Sequence, residues 1–192
     1  MNLIFFFIEI LLGVVALACL IRFLLQVSQV NPLNMVVSST RRLTDRFLNP
    51  VRSVVPSGRF VDTASLLVAW IAMSGRVALQ MLSGFLQIEG NQSISALGFI
   101  LAALGISLVR LLQFSIWIFI AAIVASVVLS WIAPQSTSPY AQLARELPGI
   151  LLRPVQRVMP NLGILDFSPM IVLIALFAIN SRVIPWLNNL FY

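Results

Sequence analysis

The sequence predicts an all-α membrane protein with four transmembrane helices, set out as two parallel two-helix repeats. Each repeat carries a cytoplasmic interfacial amphipathic helix and a proline-rich connector. Three observations lead to this class. The 192 residues are 60% apolar and only 9% charged, with a mean hydropathy of +1.02; a soluble domain is about 45–50% apolar and about 25% charged, so this chain cannot cover itself with a water-soluble surface. Apolar runs long enough to cross a bilayer, about 20 residues each, recur along it. Finally, one phrase is written twice, as LNPVRSVVPSGRFVDTASLLV from Leu48 and LRPVQRVMPNLGILDFSPMIV from Leu152. At an offset of 104 (152 minus 48) the two copies share Leu, Pro, Val, Val, Pro and Asp at 48/152, 50/154, 51/155, 54/158, 56/160 and 62/166, and then Val at 68/172.

The first repeat occupies residues 1–92, with spans over about 3–25 and 64–86, and the second occupies 93–192. No Lys or Arg precedes the first apolar run and no small-residue cleavage pattern follows it before Arg22, so it is read as a mature span and not as a signal peptide. Residues 93–133 are apolar without a Pro or a tight-turn signal. They are too long for one crossing and lack a turn for two. Residues 93–110 are therefore read as an interfacial helix leading into a third span at 111–133, with the fourth at 167–187. Charge orients the spans. All twelve basic residues are Arg, and they gather in two loops: Arg41, Arg42, Arg46, Arg52 and Arg59 in 26–63, and Arg145, Arg153 and Arg157 in 134–166. Basic loops stay in the cytoplasm. Four spans put both loops inside and both termini outside, whereas five would place one basic loop outside. The repeats are then parallel, related by an axis along the membrane normal.

Within the first loop, Asn31 is the expected N-cap and Pro32 the first helical residue. Leu33, Val36, Val37, Leu43 and Phe47 fall on one helical face and the arginines on the other, the pattern of a helix lying on a membrane. The second loop starts the same way with Ser138 and Pro139, and Pro148-Gly149 cuts it short. Pro50, Pro56, Pro154 and Pro160 each remove a donor and bias the preceding residue toward extended geometry. The connectors are therefore expected to leave the helix, with Arg52, Arg153 and Arg157 turned to phosphates or water. Asp62 and Asp166 then open the next spans as helix-start caps that meet the positive dipole end.

Charges within spans are costly, about 2.5–3.5 kcal/mol even on a lenient scale. Arg76 stands 14 residues above Asp62, about 21 Å at ~1.5 Å per residue, hence roughly 9 Å below the outer edge of a ~30 Å core. Glu9, six residues into the first span from the outside, reaches the same depth of about 9 Å by the same rise. The two are expected to form an intramembrane charge pair between spans one and two. Arg182 lies within snorkelling reach of the outer interface, where Trp186 and Tyr192 form an aromatic belt. Ala122, Ser126 and Ser130 give the third span a close-packing face, for the bundle or for a homo-oligomer.

Taken together these pieces, with RFLLQ…NP and LSWIAP…SP, resemble the YggT family of small integral membrane proteins. The resemblance covers nearly the whole chain and rests on the order and doubling of motifs that are individually weak. It implies a bacterial inner membrane location and little about activity. Family members in photosynthetic lineages are associated with haem attachment to cytochrome b6, and bacterial ones with osmotic or ion stress.

Chemistry is sparsely provided. Histidine is absent and Cys19 is the single cysteine, which removes the commonest base and metal ligand, any internal disulfide and any Cys-rich metal site. There is no nucleophile–base pair and no phosphate-binding glycine loop, so neither an enzyme nor a cofactor is expected. The loops lack aromatics for base stacking, which argues against nucleic acid. The expected role is a scaffold or assembly factor, presenting an Arg-rich cytoplasmic face to anionic lipid and to an unknown protein partner. The alternative is a small ion conduit or transporter serving ion or osmotic homeostasis.

Overall fold

The computed structural model describes residues 3–53, 55, 58, 61–83, 95–158 and 167–191. These are helical, with short links: α1 (Leu3–Val27), α2 (Met35–Arg52), α3 (Thr63–Leu82), α4 (Ala96–Ile132), α5 (Pro139–Glu146), α6 (Gly149–Val158), α7 (Ser168–Ala178), a π-helical turn (Ile179–Val183) and α8 (Ile184–Asn188). Among the described residues four stretches are long and apolar enough to cross a bilayer: α1, α3, α4 and the run Ser168–Asn188. Their outer surface is itself apolar, with Phe7, Leu11, Ile71, Leu101 and Ile174 all exposed. Water would not tolerate that surface, whereas lipid tails match it.

α1 and α3 are antiparallel neighbours. Gly13 faces Arg76 near one end and Arg22 faces Asp62 near the other. Ala16 and Ala69 are fully buried in the core beside Cys19 and Leu20, because small side chains let helix backbones approach closely. A second core joins α4 to the last span through Ile116, Ile120, Ile123, Val172, Leu176 and Ile184, with Trp117 and Phe177 edge to face at 6.4 Å. In the small-residue face of α4, Ala122 is buried, whereas Ser126 is half-buried and Ser130 exposed, both hydrogen-bonded to their own helix.

The structure corrects several expectations. The interfacial helix expected at 93–110 is not a separate element. It is the first half of α4, a single 37-residue helix that runs through Arg110 and Leu111 because nothing there removes a donor. Ala103, Ile106, Ser107 and Val109 of this half are buried. It packs on α3, where the Trp70 indole donates to the Leu104 carbonyl at 3.2 Å and the Ser74 and Ser107 hydroxyls meet at 2.8 Å. Contact positions climb together in the two helices, so along this contact the first half of α4 does not run antiparallel to α3. At ~1.5 Å per residue α4 is about 55 Å long, well beyond a core of ~30 Å.

Neither Pro50 nor Pro154 ends its helix: both lie inside, in α2 and α6. Each forfeits one bond, but its fixed φ is helical. Beyond Pro50 the Val55 amide still reaches the Val51 carbonyl at 2.9 Å. Pro56 and Pro160 fall outside the described residues. The first-loop cap is Asn34, not Asn31: its side chain accepts from the Val36 amide. Asn31 instead makes a local turn by accepting from Leu33 N. Ser138 and Pro139 do open α5 as cap and first residue. α7 begins at Ser168, after Phe167, which makes no side-chain cap bond. Just before Pro185, which cannot donate to the turn behind it, the last span widens into the π-helical turn around Arg182.

Asn34 also ties the two loop regions together. Its amide donates to the Pro139 carbonyl at 2.8 Å, while the Asn31 amide donates to Glu146 Oε2 at 2.9 Å. Asn34→Ala is expected to lower stability by about 1–2 kcal/mol, through loss of both the cap and the cross-link. Asn34→Asp keeps the cap acceptor and removes only the donor, so in a detergent unfolding titration it should fall between wild type and Ala.

Candidate functional site

The densest polar cluster stands where α1, α2 and α3 converge. Arg22, near the end of α1 and 6% exposed, donates from Nη1 to Asp45 Oδ1 at 2.7 Å, to Thr44 Oγ1 at 2.6 Å and to the Arg41 carbonyl at 3.1 Å. Its Nε lies 3.4 Å from Asp62 Oδ2. Arg52 donates to the same Asp62 oxygen at 2.7 Å and sits 3.7 Å from Asp45. Two arginines and two carboxylates thus neutralise each other. Asp62 is fully buried, and beyond these ion pairs it accepts from Ser65 Oγ at 2.7 Å and from Ser65 N at 3.3 Å. It does cap α3, and it is also the anchor that clamps α2 onto the α1–α3 pair. Arg52 therefore does not face phosphates or water as expected; an unfilled carboxylate next to it draws it inward. At positions 104 further on, Arg22, Asp45 and Arg52 are replaced by Ser126, Gly149 and Gln156, so the second loop region cannot build this clamp. Asp166 lies outside the described residues.

The sequence reading missed this cluster because Arg22 was seen only as the end of an apolar run. The signal was an Arg closing one apolar span and an Asp opening the next, opposite charges that both stand at the membrane boundary.

A second polar group lies within the membrane spans. Arg76 Nη2 is 3.5 Å from Glu9 Oε1, and the Gln80 amide donates to the same oxygen. The Gly13 side of α1 is open enough for the guanidinium to lie against it: a Cβ there would be 3.1 Å from Arg76 Nη1. Arg76 and Gln80 share a cleft of about 70 Å³ with Arg110 and Phe114. Arg110 has no hydrogen-bond or ion-pair partner among the described residues, and its Nε is buried.

The remaining basic residues stay on the surface. Arg41, Arg42 and Arg46 are exposed on α2, and no acid pairs with their side chains among the described residues. Met35, Leu43 and Phe47 of the same helix are exposed apolar groups. Arg145 is exposed and donates to the Ala133 and Pro134 carbonyls at 3.2 and 3.0 Å. Arg153 and Arg157 are exposed on α6; Arg59 is outside the described residues. Among the described residues no group of three or more His, Cys, Asp or Glu side chains could hold a metal ion.

Comparison with known proteins places these features in a family. Residues 1–85 and 105–187 match the family described as CCB3/YggT. An uncharacterized protein of Pseudomonas aeruginosa is 33% identical over 174 residues, 91% of this chain and 83% of the relative. One from Haemophilus influenzae is 31% identical over 185 residues, 96% of this chain and 93% of its own. The uncharacterized protein YggT of Escherichia coli is 28% identical over 184 residues, covering 95% and 90% of the two chains. No solved structure matches the chain. With matches to the family in two regions that together span most of its length, and a relative above 30% identity, the chain belongs to the CCB3/YggT family.

Proposed function

We propose that the protein is a non-enzymatic scaffold or assembly factor of the bacterial inner membrane, with both termini outside the cytoplasm. Its cytoplasmic face would engage anionic lipid and a protein partner. One observation carries this reading. The clamp uses up Arg22 and Arg52, yet α2 still offers Arg41, Arg42 and Arg46 unpaired beside exposed Met35, Leu43 and Phe47. A rigidly anchored amphipathic helix with cations beside apolar side chains suits a headgroup layer. Each Arg near an anionic surface contributes about 1 kcal/mol, screened by salt. The Arg bias of the loops supports the orientation.

Hydrogen exchange of α2 in nanodiscs tests the lipid role. Protection should be greater in phosphatidylglycerol than in phosphatidylcholine, and the difference should vanish in Arg41→Gln/Arg42→Gln/Arg46→Gln. Equal protection in both lipids would remove the basis of the proposal. Cross-linking in membranes with identification of the captured protein then addresses the partner. A second reading, a small ion conduit, is favoured by the intramembrane cleft shared by Arg76, Gln80 and Arg110.

A further inference from the structure

A cleft of about 240 Å³ separates the end of α1 from α6. Val27, Ser28 and Gln29 form one wall, and Arg153, Pro154 and Arg157 lie on the other. Among the described residues no acidic side chain lines it. Arg153 and Arg157 are four apart on one helix, so their guanidinium groups emerge on the same face and repel unless an anion lies between them. Neither has a hydrogen-bond or ion-pair partner among the described residues.

Two residues of the α1 wall bear on what could fill the cleft. Ser28 is 5% exposed, yet its hydroxyl has no hydrogen-bond partner. Buried hydroxyls are normally bonded, and Ser74, Ser115, Ser126 and Ser130 all bond back to their own helices. Gln29 has a φ of 55°, the left-handed conformation that glycine usually takes at this point. It closes α1 as a Schellman cap, with Val30 N on Leu25 O at 3.1 Å and Gln29 N on Gln26 O at 3.0 Å. The cap accounts for that φ and leaves the Gln29 side chain exposed at the rim of the cleft.

We infer that this cleft is a site for one phosphate group, carried either by the headgroup of an anionic phospholipid or by a free phosphate compound. Two guanidinium groups and a carboxamide supply donors for a tetrahedral oxyanion with several acceptors, and the buried Ser28 hydroxyl adds one on turning into the cleft. Val27, Ile150 and Pro154 give the apolar side against which a glycerol ester would rest. The volume fits a headgroup and not a whole lipid. The inference rests on the lipid-facing role proposed above, and narrows it from a diffuse basic surface to one built site.

Native mass spectrometry of the full chain in detergent, titrated with phosphatidylglycerol or phosphatidylcholine, tests it. Wild type should retain one phosphatidylglycerol above the diffuse background. Arg153→Gln/Arg157→Gln should weaken that retention by about tenfold or more, as expected for loss of charge-assisted bonds. Ser28→Ala should weaken it by a smaller factor and leave folding intact, since its hydroxyl bonds nothing in the protein. Arg182→Gln, in the last span and outside the cleft, should change nothing. Displacement of the lipid by millimolar inorganic phosphate would support the site and identify a free phosphate as its occupant; retention of the lipid in phosphate would support it with the headgroup as source. Equal retention by wild type and the double variant overturns the inference. So does a loss in Arg41→Gln/Arg42→Gln/Arg46→Gln equal to that in the double variant, which would leave a diffuse charged face and the α2 reading standing. If α2 also shows no lipid-dependent protection, both readings fall.

Discussion

Asp62→Asn is expected to destabilise the protein by about 3–5 kcal/mol, the range for removing one partner of a buried ion pair. Asp62 has no solvent exposure and serves two arginines, at 3.4 Å from Arg22 Nε and 2.7 Å from Arg52 Nη2. Asparagine keeps an oxygen for the Ser65 amide, so the helix cap survives, but the negative charge is lost. Arg22, 6% exposed, would then share Asp45 alone with Arg52. Asp62→Ala removes the cap as well and should cost about 1 kcal/mol more. Adding Arg22→Met to the Asn variant should recover part of the loss, because an apolar side chain of similar length removes the stranded cation. Equilibrium unfolding in detergent measures all three. An Asn variant within about 0.5 kcal/mol of wild type, as for an ordinary surface change, would show that the clamp does not hold α2 in place.

Glu9→Gln comes next, with an expected loss of about 1–3 kcal/mol. An unpaired charge in the bilayer costs about 2.5–3.5 kcal/mol on the insertion scale; Glu9 and Arg76 are 19% and 30% exposed, so part of that penalty is relieved by snorkelling. Arg76→Gln leaves Glu9 with the Gln80 amide and should cost less than Glu9→Gln, which strands Arg76 beside Arg110. The double variant should lose less than the sum, by more than the ~0.5 kcal/mol scatter of independent sites. Additive losses would mean the 3.5 Å approach carries no energy. The same variants separate the functional readings. A scaffold passes no ions, so liposomes bearing wild type should show no flux; flux in wild type that disappears in Arg76→Gln would favour the conduit.

The Glu9–Arg76 approach was legible because both residues interrupt apolar runs, and the rise per residue converts position into depth. Asp62 as a cap was legible from its place before an apolar helix. Neither Asp45 nor Gln80 was, since an exposed acid and a neutral amide look ordinary until a neighbouring helix brings an arginine to them. The prolines misled for a related reason. Pro50 and Pro154 read as breakers when each is weighed alone, yet one forfeited bond is offset where buried neighbours such as Leu48 and Leu152 hold the turn in place. In 93–133 the absence of a turn was visible, but not that the helix would stay whole and pack its first half on α3.

From the residues alone came the helical class, the four apolar stretches, the family and the basic bias of the loops. These are sums over local composition, and hydrophobic transfer adds along a chain whatever its partners. Pairing is different. Whether Arg22 clamps α2, which arginines remain for lipid, and whether Arg153 and Arg157 face a cleft beside Ser28 depend on how each helix is rotated and tilted against the next. That arrangement is decided only when distant side chains compete for the same buried space and the same few carboxylates.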